Sequence, residues 1–275
     1  MGKSLFSMSW RSRANGLSSR VGLGRRALGY RTVLRAEVER IRWFHRIDLG
    51  DGVVTPGEDD TPGKLATIGL PADLSGRTVL DVGAWDGFFS FEAERRGAQR
   101  VVAVDPSAWR PGRPENEWGS KAGFDLARRA LGSRVEDLDL DDLLQLSPET
   151  VGTFDVVLFL GVLYHLPDPF PLLERVAAVT GDLLILETHA DLLGLRRPAM
   201  AHYPGAEVEG DLSTWWGPNP ALLRALLERL GFARVDVVHA DRLPRRLARA
   251  AWRRLRGRPY RASQGRVVVH ARRAA

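Results

Sequence analysis

Cysteine is missing altogether from this 275-residue chain. That excludes disulfides, thiolate metal sites, iron–sulfur clusters and cysteine nucleophiles. Long apolar runs are missing too, since none approaches the roughly 20 residues that span a bilayer, and no stable membrane insertion is expected. The longest, Phe154 to Leu166, contains a histidine and has a proline just after it, so it reads as a buried strand and its exit loop. Ahead of any small-residue cleavage site the amino terminus has no apolar core, so a secretory signal is not expected and the cytoplasm is the expected location. Histidine is sparse, at six residues, and no metal site is expected. The 28 glycines and 16 prolines follow no repeating register, which sets aside collagen-like and low-complexity readings. What remains, 27% charged and 44% hydrophobic, is the composition of a globular domain with appendages.

Lysine is scarce, at three residues against 37 arginines, and the basic residues are unevenly placed. Residues 1–42 carry ten against two acidic residues and residues 241–275 carry twelve against one, leaving 18 against 31 in between. Basic ends on an acidic body can meet phosphate backbones, an acidic lipid surface or an acidic protein, although an arginine-rich composition alone produces such tails. Residues 1–30 lack any period and are expected to form a mobile basic arm. From 31 to 72 the sequence predicts a helix, Arg31 to Phe44, and a Gly-, Pro- and Asp-rich approach loop from Asp48 to Pro71, both packing on the core. The main domain is expected over 73–275, with a basic helical insertion at 242–263.

Within that domain strands and helices alternate. Thr78 to Val82, Val101 to Val104, Phe154 to Leu160, Leu183 to Leu186, Val235 to His239 and Val267 to His270 read as strands. Phe88 to Arg96, Phe124 to Leu131, Pro171 to Val179 and Ala221 to Leu230 read as helices. Continuous apolar strands belong to a parallel sheet covered on both faces, so the expected fold is α/β, doubly wound and mostly parallel, with a final antiparallel strand at the sheet edge.

Ligands of such sheets bind beyond the carboxyl ends of the strands. Asp81, Val82, Gly83, Ala84, Trp85, Asp86 and Gly87 occupy such an end, and the two glycines let the backbone turn tightly beside a ligand. Asp105 ends the next strand, where a carboxylate can accept from the hydroxyls of a ribose. The glycine spacing is not the dinucleotide fingerprint, and Asp86 would repel a pyrophosphate but tolerate an ammonium. S-adenosylmethionine is therefore favoured over NAD.

The segments Val79-Leu80-Asp81-Val82-Gly83, Asp105-Pro106-Ser107 and Gly161-Val162-Leu163-Tyr164-His165-Leu166 resemble the class I S-adenosylmethionine-dependent methyltransferases. Within that superfamily the chain resembles the group containing the tRNA wobble-uridine carboxymethyltransferase, from about Trp43 to Val238. The resemblance implies that Gly83 lies under the methionine part of the cofactor and that Asp105, Pro106 and Ser107 hold ribose and adenine. It offers Asp142 and Leu143 for the adenine edge, Leu160 and Tyr164 beside the transferred group, and Lys64 in the approach loop. The family member that transfers a carboxymethyl group uses basic residues for the extra carboxylate. No counterpart of its upstream lysine is found near Phe44 to Val54, and Arg266 or Arg261 would have to replace the downstream arginine, so a plain methyl donor is expected.

Methyl transfer needs an aligned nucleophile and, for a hydroxyl acceptor, a base. Tyr164, His165 and His189 sit at the ends of the fourth and fifth strands and are the catalytic candidates. Trp215 and Trp216 can stack on a flat acceptor or can hold their loop to the core. Arg242 to Arg256 places Leu243, Leu247, Ala250 and Leu255 near one helical face with seven arginines elsewhere, suiting RNA, an anionic membrane surface or a solvated helix. The expected partner is a small-molecule acceptor. A tRNA and a catalytically inactive binding protein are the alternatives.

Overall fold

The computed structural model describes residues 29–110, 120–257 and 261–274. All but the last two residues of the expected basic arm, and residues 258–260 of the basic insertion, lie outside them. In chain order the elements are α1 (29–38), α2 (Thr61–Ile68), β1 (Thr78–Val82), α3 (Phe88–Arg95), β2 (Arg100–Val104), α4 (Pro106–Trp109), α5 (Ala122–Leu131), β3 (Glu136–Asp137), α6 (Pro148–Val151) and β4 (Phe154–Leu160). There follow α7 (Pro169–Ala178), β5 (Thr180–Ala190), β6 (Met200–His202), β7 (Trp216–Pro218), α8 (Pro220–Arg229), β8 (Arg234–Ala240), α9 (Leu243–Leu255) and β9 (Gly265–Arg272).

The main sheet has the order β3-β2-β1-β4-β5-β9-β8, with β1 to β5 parallel and β9 antiparallel to both its neighbours. The antiparallel strand expected near the edge is thus inserted one place inward, between β5 and β8. Successive residues of a strand point to opposite faces, and the sheet divides its apolar residues accordingly. Val79, Val156, Leu158 and Ile185 join Leu34, Trp43 and Phe124 on one side, while Leu80, Val157, Phe159 and Leu186 join Leu173, Leu223 and Leu227 on the other. Both faces are dry, which explains runs without polar alternation.

Helix starts follow local chemistry. Asn219 accepts from the Leu222 amide at 2.9 Å at the head of α8, and Asp168 caps α7, each followed by a proline at the first helical position. The expected helix Arg31 to Phe44 stops at residue 38, because the Val38 carbonyl accepts the Trp43 indole N–H at 3.0 Å and the chain doubles back to bury that ring. Within the expected approach loop, Asp60 caps the helix α2, whose Thr-Pro-Gly start reads as loop in isolation. The short pair β6 and β7 falls between expected elements and carries no strand signal of its own.

Candidate active site

Strand order reverses between β1 and β4, and the crevice of an open α/β sheet lies there. Gly83 leaves β1 with φ +84°, and the Gly83 and Ala84 amides both donate to the Val104 carbonyl, at 2.8 and 3.3 Å. A Cβ on Gly83 would lie 2.3 Å from Val162 Cγ2, so only glycine lets the β1 and β4 exits approach this closely. Gly87 serves packing: with φ +85° it starts α3, and a Cβ would lie 2.7 Å from the Phe124 ring and 2.8 Å from that of Phe91. Between the glycines Trp85 stacks on Phe44 at 4.4 Å. Asp86 turns away from the role that its charge suggests, since its Oδ2 accepts from the Phe44 and His45 amides at 2.8 Å each and so fastens the approach segment to the glycine loop.

Asp105 organises the next turn. Its Oδ1 accepts from the Ser107 and Ala108 amides at 3.1 and 2.8 Å, capping α4, and its Oδ2 accepts from Trp85 at 3.0 Å with a lone pair to spare. Beside it opens a cleft of about 200 Å³ lined by Pro106, Trp109, Lys121, Asp137 and Leu138 among others. Asp142 and Leu143, expected at this edge, do not line this cleft: Asp142 caps a 3₁₀ turn through the Leu144 amide, and Leu143 is buried in the core. The residues at the carboxyl end of β3 are Asp137 and Leu138, and a strand only two residues long gave no sequence signal for them. Trp109, whose indole N–H donates to the Trp85 carbonyl at 2.7 Å, was likewise not anticipated.

Asp81, Asp86 and Asp105 are all buried, and among the described residues no lysine or arginine forms an ion pair with any of them. Asp81 accepts the Ser90 hydroxyl at 2.6 Å, yet burial, with Asp105 nearby, pushes its pKa up to about 7. Burial raises Asp86 to about 6 and raises Asp105 as well. Asp81 and Asp105, crowded in a poorly solvated corner, are most readily held in their charged forms by a cationic ligand. A sulfonium and an ammonium suit this pocket where a pyrophosphate would not, so the residues fit S-adenosylmethionine.

On the β4 and β5 side, Leu160 packs against the core at the end of β4 and Tyr164 lies in the following 3₁₀ turn. The Arg266 guanidinium sits 4.9 Å above the Tyr164 ring and forms a two-pronged ion pair with buried Glu187. Burial disfavours both charges, but each partner more than offsets it: Glu187 is held below the usual carboxylate range and the Arg266 pKa is raised. Lys64, on α2, pairs with Asp59 and lies 5.3 Å from the centre of the Phe44 ring.

The loop from 203 to 216 folds over this corner, fixed by the Trp215 amide donating to the Tyr164 carbonyl at 2.8 Å and by the Trp216 indole donating to the Pro167 carbonyl at 3.0 Å. The Trp216 ring therefore pins its own loop, while Trp215 is partly exposed. That closure builds two parallel relays. Tyr203 donates to Asp191 at 2.7 Å, so its oxygen accepts from His189 Nε2 at 3.1 Å, leaving His189 Nδ1 as the nitrogen with a lone pair. Ser213 donates to Asp211 at 2.6 Å, so its hydroxyl accepts from His165 Nδ1 at 2.8 Å, leaving Nε2 of His165 as the acceptor. The His165 ring is 4.0 Å and the His189 ring 6.1 Å from that of Tyr164. Burial lowers both histidines, His189 to about 4. The next influence differs, because Asp211 favours the charged form of His165 whereas Arg266 opposes that of His189.

A sequence-family profile described as "Methyltransferase domain" matches residues 62–237. The tRNA U34 carboxymethyltransferase of Colwellia psychrerythraea is 31% identical over 175 residues, covering 62% of this chain and 49% of that protein. The enzyme of the same name from Dichelobacter nodosus is 36% identical over 165 residues, covering 58% and 46%. The chain thus spans about half the length of the curated relatives it matches. Among solved structures, the N-terminal domain of EvdMO1 with SAH bound superposes with a TM-score of 0.58 at 23% identity, covering 89% of this chain and 97% of that one, a likeness of fold. The chain belongs to the methyltransferase-domain family, as a class I S-adenosylmethionine-dependent methyltransferase resembling the tRNA U34 carboxymethyltransferase group.

Proposed function

We propose that the chain transfers a plain methyl group from S-adenosylmethionine to a hydroxyl of a small molecule, with His165 as general base. The observation that carries this reading is the Asp211–Ser213–His165 relay beside Tyr164. The cofactor supplies an electrophilic methyl on a sulfonium. Gly83 and Asp105 bind its methionine and ribose parts, with Ala84, Pro106 and Ser107 alongside. Ser213 holds His165 in one tautomer, which leaves Nε2 free to take the proton that a hydroxyl acceptor would give up on methylation. His189, neutral and aimed by Tyr203, accepts a hydrogen bond that orients the acceptor, and Trp215 supplies a flat apolar wall.

A plain methyl is favoured because Arg266 and Lys64 are already matched by Glu187 and Asp59. An additional buried carboxylate would need an uncommitted partner. A small acceptor gains support from EvdMO1, whose N-terminal domain has been crystallised in the presence of SAH and D-fucose. The second reading, transfer to a tRNA wobble uridine, is favoured by the names of the curated relatives. Either acceptor is compatible with action in the cytoplasm.

Labelled S-adenosylmethionine offered with sugars, glycosides and phenols on one side and undermodified tRNA on the other tests the choice. Label in a small hydroxyl compound is expected, and His165→Ala should lower transfer by about 10²-fold or more with SAH affinity unchanged. Label entering tRNA alone would establish the second reading.

A further inference from the structure

Helix α9 is built inside out. An amphipathic helix on a globular domain ordinarily buries its apolar stripe and exposes its charges. Here Arg246, Arg249 and Arg253 face the body. Arg246 is 8% exposed and donates to the Ala262 carbonyl at 2.8 Å, Arg249 pairs with Asp241 at 2.8 Å, and Arg253 with Glu209 at 2.8 Å. The opposite side carries Leu243, Leu247 and Leu255, 53%, 51% and 88% exposed, with Trp252 at its margin, 50% exposed. Exposed Arg254 stands among the leucines, with exposed Arg242, Arg245 and Arg256 at the helix's other positions, and the Arg256 guanidinium lies 3.9 Å from the centre of the Trp252 ring.

Three polar anchors therefore fix the orientation, and they hold leucines toward water. Each large apolar side chain kept there forgoes burial, so the face calls for an apolar partner. Its arginines call for an anionic one. A second copy of the chain would bring arginines against arginines, and RNA would leave the leucines unmatched. An acidic bilayer surface satisfies both: acyl chains take the leucines and the tryptophan, and headgroups take the arginines. At 13 residues, about 20 Å long, α9 suits lying in the interface plane rather than crossing it.

We propose that α9 docks the protein onto an anionic lipid bilayer. Asp241, just before the helix at the carboxyl end of β8, accepts from the Arg266 amide at 3.1 Å, and Glu209, paired with Arg253, belongs to the loop that carries Ser213 and Trp215. Docking therefore orients the loop side of the active site toward the membrane. The proposal does not depend on which acceptor is methylated.

The test is cosedimentation of the full chain with vesicles of phosphatidylcholine alone or mixed with phosphatidylglycerol. Binding is expected only to the mixed vesicles. The double substitution Leu247→Glu and Leu255→Glu, at exposed positions, should weaken it by about tenfold or more, with SAH binding by calorimetry reporting that the fold is intact. Arg254→Glu with Arg256→Glu should also weaken it. Absence of binding to mixed vesicles would overturn the proposal, as would equal binding by the leucine variant. So would a tRNA complex that depends on the same leucines and displaces the vesicles.

Discussion

Substituting Asp105 by Asn isolates what its carboxylate does for the cofactor. In the folded chain Oδ1 is committed to the Ser107 and Ala108 amides, and Oδ2 to Trp85 with one lone pair left. An asparagine has one acceptor oxygen. If that oxygen keeps the two amides capping α4, the NH₂ group meets the Trp85 N–H donor to donor, and the acceptor for a ribose hydroxyl is gone. A hydrogen bond to a charged group contributes about 1.5–3 kcal/mol, so Kd should rise about 10- to 150-fold. Because the ribose is common to S-adenosylmethionine and SAH, both should weaken by the same factor. Titration calorimetry reads both constants, with melting temperature as the control for folding. A change below threefold, or one confined to one ligand, would refute the assignment of Asp105 to the ribose.

Gly83→Ala should abolish SAH binding and lower stability, since its Cβ would overlap Val162 and φ is +84°; calorimetry with chemical denaturation checks both. His45 is buried, its Nδ1 has no hydrogen-bond partner, and burial with Lys64 nearby lowers it to about 3. With the folded pKa below the unfolded one, the unfolded state binds the extra proton, so stability is lost as pH falls from about 6.5 toward 3. At pH 5 the loss is about 2 kcal/mol, and in urea unfolding at pH 7 and pH 5 His45→Phe should narrow the difference by that amount; parallel curves would count against it. In competition the chain should prefer S-adenosylmethionine to a carboxylated analogue, and a strong preference for the analogue would mean that Arg266 leaves Glu187 to bind it.

The parts of the site legible in the sequence are those fixed by strand ends. Gly83 and Asp105 follow β1 and β2 directly and Tyr164 lies in the turn just past β4, and apolar strands betray where they stop. The parts that were not legible are set by contacts across the chain. Tyr203 reaches His189 from 14 residues away and Ser213 reaches His165 from 48, through a loop with no periodicity. Asp137 and Leu138 were missed because a two-residue strand is held by its neighbour β2 rather than by its own composition. The leucine pattern of α9 was legible, but which side meets the body depends on Asp241, Glu209 and the Ala262 carbonyl, and no helical wheel contains them.

The place of β9 in the sheet imposes an order on synthesis. Strand β5 pairs along its length with a segment that begins at Gly265, so after Ala190 is made the ribosome must add about 75 residues before the partner starts to emerge. At about 5–20 residues per second that is roughly 4–15 s. Throughout it β5, with Leu183, Leu184, Ile185 and Leu186 at its centre, presents an unpaired edge. Nascent chains stalled in this window are the species a chaperone would meet. Because Arg266 arrives with β9, Glu187 gains its ion-pair partner only at the same moment.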